Sequence, residues 1–290
     1  MILLAQNILS GVMVGCVYSM VALGYVLIFK ACRIFNFAQC AFMLLGAYLA
    51  WFFNVTLGFP IWLSLIATVV IGVPLSFGLE RFPMRPMIGQ SEFSIVLMTL
   101  ALMAMFGKIV TLFWGGIVKV YNTPFTLSTV TAGGMRLSLA LILSCLFALI
   151  VFLGLTLFFR RSKIGLLMRG VAEDQVLAQS TGINVNKIIA YSWTIACTVA
   201  MCAGVLMGSI GSITLYIQDV GFISIIVAIF GGLESIRGAF IAGIMLGVVE
   251  VLVRAYVGYG LFTVIPYIIL LLILIFKPYG LFGLEKIERI

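Results

Sequence analysis

The chain has 290 residues, of which 64% are hydrophobic and only 9% charged, against about a quarter charged in ordinary soluble domains. That excludes a water-facing globular domain and leaves a membrane protein. Histidine is absent and the formal net charge is +8; the commonest metal ligand and neutral-pH proton shuttle is therefore missing, and the basic excess reads as loops facing anionic lipid rather than as a nucleic-acid surface. The six cysteines, Cys16, Cys32, Cys40, Cys145, Cys197 and Cys202, lie in or beside apolar runs with no C-x-x-C pair. They read as packing residues, not as a zinc site or a disulfide scaffold.

In chain order, stretches free of Asp, Glu, Lys and Arg cover residues 1–29, 34–79, 137–159, 188–218 and 255–276, each at or above the roughly 20 residues a spanning helix needs. Residues 34–79 are long enough for two passes, divided at the turn-forming N-V-T-L-G-F-P of 54–60. A further span over 93–114 carries one charge, Lys108, whose stem can snorkel or face the bundle interior. Lys30 and Arg33 follow the first run directly and no basic residue precedes it, which predicts an external N-terminus and no cleaved signal peptide. Counting on puts Arg81, Arg85, the basic residues of 160–187 and the tail with Lys277, Lys286 and Arg289 inside, and only Lys119 and Arg136 in an outside loop. The apolar stretches 220–233 and 239–249 are short and flank G-G-L-E-S-I-R-G (231–238). They read as two half-helices meeting at a break near mid-membrane, which must face protein or a water-filled path; a tight loop between two short tilted helices is the alternative. The expected fold is an all-α polytopic membrane bundle of about eight spans, including a broken helix pair near 220–254, forming one transmembrane domain over 1–290 with a cytoplasmic loop at 160–187.

Three segments attract attention. Asn36 and Gln39 share a helical face, and amides in hydrocarbon need partners; they either line a polar path or tie helices together. In the loop 160–187, Glu173 and Asp174 suit the first turn of a short helix and Gly182 its stop, with Val171, Leu177 and Ala178 forming a small apolar face; on composition alone a solvated linker is preferred. In the Gly-rich break, Glu234 and Arg237 are three apart and pair if helical, and Glu250 and Arg254 repeat the case at i,i+4. No G-x-x-x-x-G-K-[ST] loop occurs, so nucleotide phosphates are not held in that way by this chain. A stand-alone carrier or channel, with Lys108, Glu234 or Glu250 serving ion coupling, is the rival from another class. A membrane enzyme is disfavoured without His or clustered carboxylates.

Taken together, G-V-M-V-G-C-V-Y-S-M-V-A-L-G-Y (11–25), N-F-A-Q (36–39) with G-A-Y (46–48), R-F-P-M-R (81–85), R-S-K-I-G-L-L-M-R-G-V-A-E-D (161–174) with G-I-N (182–184), G-G-L-E-S-I-R-G-A (231–239) and F-K-P-Y-G-L-F-G (276–283) resemble the permease subunits of high-affinity branched-chain amino-acid ABC transporters, in order and over nearly the whole chain. The resemblance implies a non-enzymatic bacterial inner-membrane importer subunit. Its implied partners are a second, homologous permease, expected to be a different chain, two cytoplasmic subunits that bind ATP and Mg, and a periplasmic solute-binding protein; no cofactor is implied in this chain. It makes the segment around Arg169, Ala172, Glu173, Asp174, Ala178, Gly182, Ile183 and Asn184 the helix that docks on an ATPase, overturning the linker reading. It also places Asn36, Phe37, Gln39, Gly231, Gly232, Glu234 and Ser235 along the path. Two departures fall on that path: Gln39-Cys40 stands where the family usually has His-Gly, and Glu234 and Arg237 stand in the break. Both leave the solute open, from aliphatic amino acids to amides, urea or organic acids.

Overall fold

The computed structural model describes residues 1–87, 89–123 and 128–283; the tail charges Lys286 and Arg289 lie outside them. Twelve α-helices and one hairpin are formed among the described residues: α1 Ile2–Cys32, α2 Ala38–Trp51, α3 Ile61–Leu79, α4 Glu92–Trp114, β1 Thr129–Ala132, β2 Met135–Ser138, α5 Leu139–Arg161, α6 Lys163–Glu173, α7 Gln175–Ser180, α8 Val185–Ile210, α9 Tyr216–Gly231, α10 Ile236–Tyr256, α11 Tyr259–Phe262 and α12 Ile265–Phe276. A π turn over Phe52–Thr56 prolongs α2, and a π turn followed by a 3-10 turn carries α3 on to Met87. Among the described residues seven helices, α1, α2, α3, α4, α5, α8 and α10, are long and apolar enough to cross a membrane, two of them counted with these extensions; α9 and α12 are shorter apolar helices. The polytopic helical bundle expected from composition is therefore present.

Helix α1 is the axis of the bundle. Its C-terminal half is buried on every side, and α10, α8, α5 and α9 pack around it. The α1–α10 pair runs antiparallel and close because glycines face each other: a Cβ on Gly15 would lie 2.6 Å from the Ile244 Cα, and one on Gly247 2.6 Å from the Gly15 Cα. Small residues allow such backbone approach in a medium where apolar side chains gain nothing by leaving lipid. Ser19 on α1 completes the seam by donating to the carbonyls of Gly15 and Phe240. Helices α3, α4 and α5 form the outer layer and expose Trp62, Ile66, Val70, Phe93, Leu97, Ile150 and Leu153, as lipid-facing helices should.

The two ends of the bundle differ in charge. Arg33, Arg81, Arg85, Arg160, Arg161, Lys163, Arg169, Lys187, Arg237 and Lys277 fall where the helices turn at one end, called here the basic end; Met1, Lys119, Arg136 and Arg254, in the last turn of α10, lie at the other. At the latter end a hairpin joins α4 to α5, unforeseen in the sequence. Its two-residue loop is Gly133-Gly134, both with positive φ (56° and 79°), which matches the twist of paired strands. Gln6 Oε1 accepts the Arg136 N–H there.

The region 220–254 differs in detail from the half-helix expectation. Helix α10 has 21 residues and α9 begins at Tyr216, so the break 231–235 lies beside Lys30 and Arg33 at the basic end rather than at mid-membrane. It is a tight turn, as in the alternative given above, but of the two helices it joins only α9, with 16 residues, is short, since α10 has 21.

Candidate functional site

A discontinuity deep within the bundle does exist, between α1 and α2. Arg33 closes α1 in the left-handed region (φ 59°), its N–H donating to the Phe29 carbonyl at 2.8 Å. Residues 34–37 then fold back along α1, so that Gln39 lies against Gly24, nine residues and roughly 13 Å inside the end of that helix. Helix α2 thus starts deep in the bundle, with no side-chain cap at Phe37. Non-helical backbone at this depth is tolerated only inside protein or along a cavity.

The amides at this break divide their polar atoms between helix ties and unpaired acceptors. Gln39 Nε2 donates to the Val21 carbonyl at 3.0 Å and Asn36 Nδ2 to the Cys197 sulfur at 3.6 Å, so their donors tie α1 and α8 to the start of α2. Their carbonyl oxygens, Asn36 Oδ1 and Gln39 Oε1, are buried with no hydrogen-bond donor near them. Such acceptors are costly unless something polar visits. A row of rings leads to them from the basic end: Phe29 to Phe35 at 5.4 Å, Phe35 to Phe37 at 6.4 Å and Phe37 to Phe222 at 6.0 Å between centroids. Cys197 and Phe222 were invisible to sequence reasoning, since neither carries a local signal.

The Gly-rich turn is shaped by what packs on it. Gly232 has φ 97°, and a Cβ there would meet the Gly283 nitrogen at 2.6 Å. Gly280, with φ 77°, would place one 2.6 Å from the Gly232 nitrogen. The segment after α12 therefore lies flat on the turn, and Leu281 and Phe282 donate their N–H groups to the carbonyls of Phe230 and Gly231 at 2.8 and 3.2 Å. Those carbonyls belong to the last turn of α9 and have no partner within the helix. Ser235 Oγ caps α10 by accepting from Gly238 N at 3.0 Å. Glu234 lies outside that helix and pairs with Arg33, 201 residues away, while Lys30 Nζ donates to its carbonyl oxygen at 3.2 Å. The expected Glu234–Arg237 pair is not formed, because a residue before the N-cap does not share a helical face with one in the first turn; Arg237 is exposed. Glu250 likewise does not wait on Arg254: it is buried and accepts the Tyr18 hydroxyl at 2.7 Å, while the Arg254 guanidinium lies over the Phe262 ring at 5.4 Å.

The loop 160–187 is two short helices with an elbow, where one was expected. Ser162 caps α6 by accepting from Gly165 N at 2.9 Å, and only glycine fits at 165, where a Cβ would lie 2.7 Å from the Phe158 carbonyl oxygen. Asp174, in extended backbone, ends α6 and caps α7, its Oδ1 accepting from Val176 N and Leu177 N at 2.8 and 2.9 Å. Gly182 (φ 86°) ends α7, with Gly182 N donating to Gln179 O and Ile183 N to Ala178 O, the paired bonds of a Schellman stop. Asn184 then caps α8 by accepting from Lys187 N. The apolar face splits: Val171 and Ala178 are buried with Phe152, Phe159 and Ile188, whereas Val176 and Leu177 are 78% and 63% exposed. Arg169 is turned inward, its guanidinium over the Phe159 ring and bonded to the Phe159 carbonyl. Ala172 is partly buried, and the open surface is Glu173 to Leu177 with Gln179 to Gly182.

Residues 7–274 match the family described as branched-chain amino acid transport system / permease component. The high-affinity branched-chain amino acid transport system permease protein BraD of Pseudomonas aeruginosa is 28% identical, over 98% of this chain and 97% of that protein. LivH of Salmonella typhimurium, carrying the same description, is 26% identical over 98% and 97%, and a probable LivH of Methanocaldococcus jannaschii is 29% identical over 93% and 90%. Among solved structures, PsaBC from Streptococcus pneumoniae in complex with Fab covers 95% of this chain at a TM-score of 0.51 and 13% identity, a likeness of fold alone. With a family match over nearly its entire length, the chain belongs to the permease components of branched-chain amino-acid transport systems.

Proposed function

We propose that this chain is one permease of a binding-protein-dependent ABC importer in a bacterial inner membrane, moving branched-chain or related amino acids by alternating access. It hydrolyses nothing itself: two cytoplasmic subunits bind ATP and Mg, a second, homologous but different permease completes the pathway, and a periplasmic protein delivers the solute. The basic end faces the cytoplasm, with the N-terminus outside and the C-terminus inside, in keeping with the preference for Lys and Arg on that side. The observation that carries the reading is the elbow at Asp174: a capped, exposed apolar pair, Val176-Leu177, at the basic end. Its neighbour Gln175 donates to the Ala31 carbonyl at 3.3 Å. A push on the elbow is thereby delivered to the end of α1, two residues before the chain turns into the break at 34–37. An exposed short helix in a partner's groove is a recurrent way to build such a joint. Arg169, Ala172, Ala178, Gly182, Ile183 and Asn184 hold the elbow in shape, Glu173 and Asp174 flank its contact surface, and Asn36, Phe37 and Gln39 line the path, with Gly231, Gly232, Glu234 and Ser235 at its inner mouth.

The test is flux in proteoliposomes. Uptake of L-leucine is expected only when both permeases, the ATPases, ATP and the binding protein are present. Uptake by this chain alone, or uptake that follows a proton or sodium gradient, overturns the reading.

A further inference from the structure

At the basic end, between the ends of α1 and α9, the start of α4 and the segment after α12, lies a cavity of about 660 Å³, within the roughly 300–1,000 Å³ range of small-molecule sites. Its lining is divided in two. Phe29, Phe35, Ile229 and Leu233 make an apolar wall, and Arg33 and Glu234 place opposite charges side by side at its edge. With 41% and 27% of their side-chain surface exposed, the two charges are held weakly to each other and open at little cost.

We propose that this cavity is a release site for a zwitterionic amino acid with an apolar side chain: Arg33 takes the α-carboxylate, Glu234 the α-ammonium, and Phe29, Phe35, Ile229 and Leu233 the side chain. The proposal rests on the transport reading above and assigns which groups at the inner mouth hold each part of the solute before release. An α-amino acid carries its two charges on one carbon, so it inserts between the halves of an opened ion pair and satisfies both. The guanidinium fork presents parallel donors to a carboxylate, and Lys30, bonded to the Glu234 carbonyl oxygen, holds that backbone while the side chain turns. Phe35 lines the cavity and also belongs to the row of rings that reaches Phe37 and the break, so the cavity sits at the foot of the candidate path. Glu173, the last residue of α6, lies in the same wall, which places the coupling elbow beside the ligand. Glu92 lines it too; among the described lining residues three carboxylates face one guanidinium, and Lys30 is engaged by the Glu234 carbonyl oxygen, so the carboxylate contact falls chiefly to Arg33.

The test uses the intact transporter in nanodiscs, without binding protein or nucleotide, and ligand-observed NMR with three probes: L-leucine, isoamylamine, which lacks the carboxylate, and isocaproate, which lacks the ammonium. Leucine is expected to bind tightest. Arg33→Gln weakens leucine by about tenfold, the loss of one charge-assisted contact, and leaves isoamylamine unchanged. Glu234→Gln weakens leucine less, because Glu92 and Glu173 remain, and leaves isocaproate unchanged. Arg33→Lys, which keeps the ion pair, falls between. The site is overturned if the two analogues bind wild type as well as leucine does, if Arg33→Gln leaves leucine untouched, or if it weakens all three probes alike. ATP-driven leucine uptake by the same wild-type preparation separates the two levels: with uptake intact those results remove only the release site, whereas absence of any uptake removes the transport reading and the site with it.

Discussion

Helix α7 has six residues, far below the length at which a helix sustains itself in water, and it is held at both ends by identifiable bonds. Asp174 Oδ1 accepts from two N–H groups at its start, and Gly182, at φ 86°, closes its end. Replacing an Asp N-cap by Ala costs about 1 kcal/mol, and forcing Ala into the left-handed region at 182 costs about 1–2 kcal/mol more. The double variant Asp174→Ala/Gly182→Ala therefore loses about 2–3 kcal/mol of local stability, a shift of thirtyfold or more, in order of magnitude, in the folded population of the elbow. The bundle itself is unaffected, since both residues are exposed and Gly182 has open space where a Cβ would be added. The assay is amino acid transported per ATP hydrolysed by the reconstituted transporter, with hydrogen exchange at 175–181 as the structural readout. Faster exchange and a several-fold fall in coupled transport are expected, with Asp174→Asn, an equally good cap, near wild type. Normal coupling in the double variant, or an Asp174→Asn variant as poor as Asp174→Ala, refutes the argument; the latter result assigns the effect to charge instead of the cap.

Further expectations concern the bundle. Gly247→Leu drives a side chain into the Gly15 Cα of α1 and is expected to destabilise by about 4–5 kcal/mol or to abolish folding, read from expression and thermal midpoint in detergent; a near-normal midpoint refutes the close α1–α10 seam. Glu250→Ala strands the Tyr18 hydroxyl in the interior at about 1–3 kcal/mol, whereas Glu250→Met with Tyr18→Phe removes both partners and recovers most of that loss; equal midpoints for the two variants contradict the pairing. Gly280→Ala is expected to lift the C-terminal segment off the α9–α10 turn, seen as faster amide exchange at Leu281 and Phe282, and unchanged protection there contradicts the docking.

The sequence made the spans, their order and the local stops legible because each rests on short-range chemistry: charge-free length for α1, α5 and α8, the acid at Asp174 and the glycine at 182 for α7. What it hid is long-range. The half-helix reading of 220–254 failed because charges were counted as ends. In fact Asp219 lies inside α9, and Glu250 and Arg254 lie inside α10, the first of these two held by Tyr18 from another helix. The break at 34–37 leaves no local mark in the sequence because its ties are long-range: the Gln39 and Asn36 amide nitrogens donate to Val21 on α1 and Cys197 on α8, while their oxygens stay unpaired. The Arg33–Glu234 pair joins residues 201 positions apart, and no periodicity announces it. The elbow was read as a single helix because nothing but the extended backbone at Asp174 divides it.

The central claim is that the elbow meets a separate ATPase at the basic end. A photocrosslinking amino acid placed at Leu177, 63% exposed beside the Asp174 cap, reports that contact in the intact assembly. The expected product is an adduct with the ATP-binding subunit that strengthens or weakens with nucleotide, and none from Val130 in the hairpin at the opposite end. No adduct from 177, or an ATPase adduct from 130, contradicts the account.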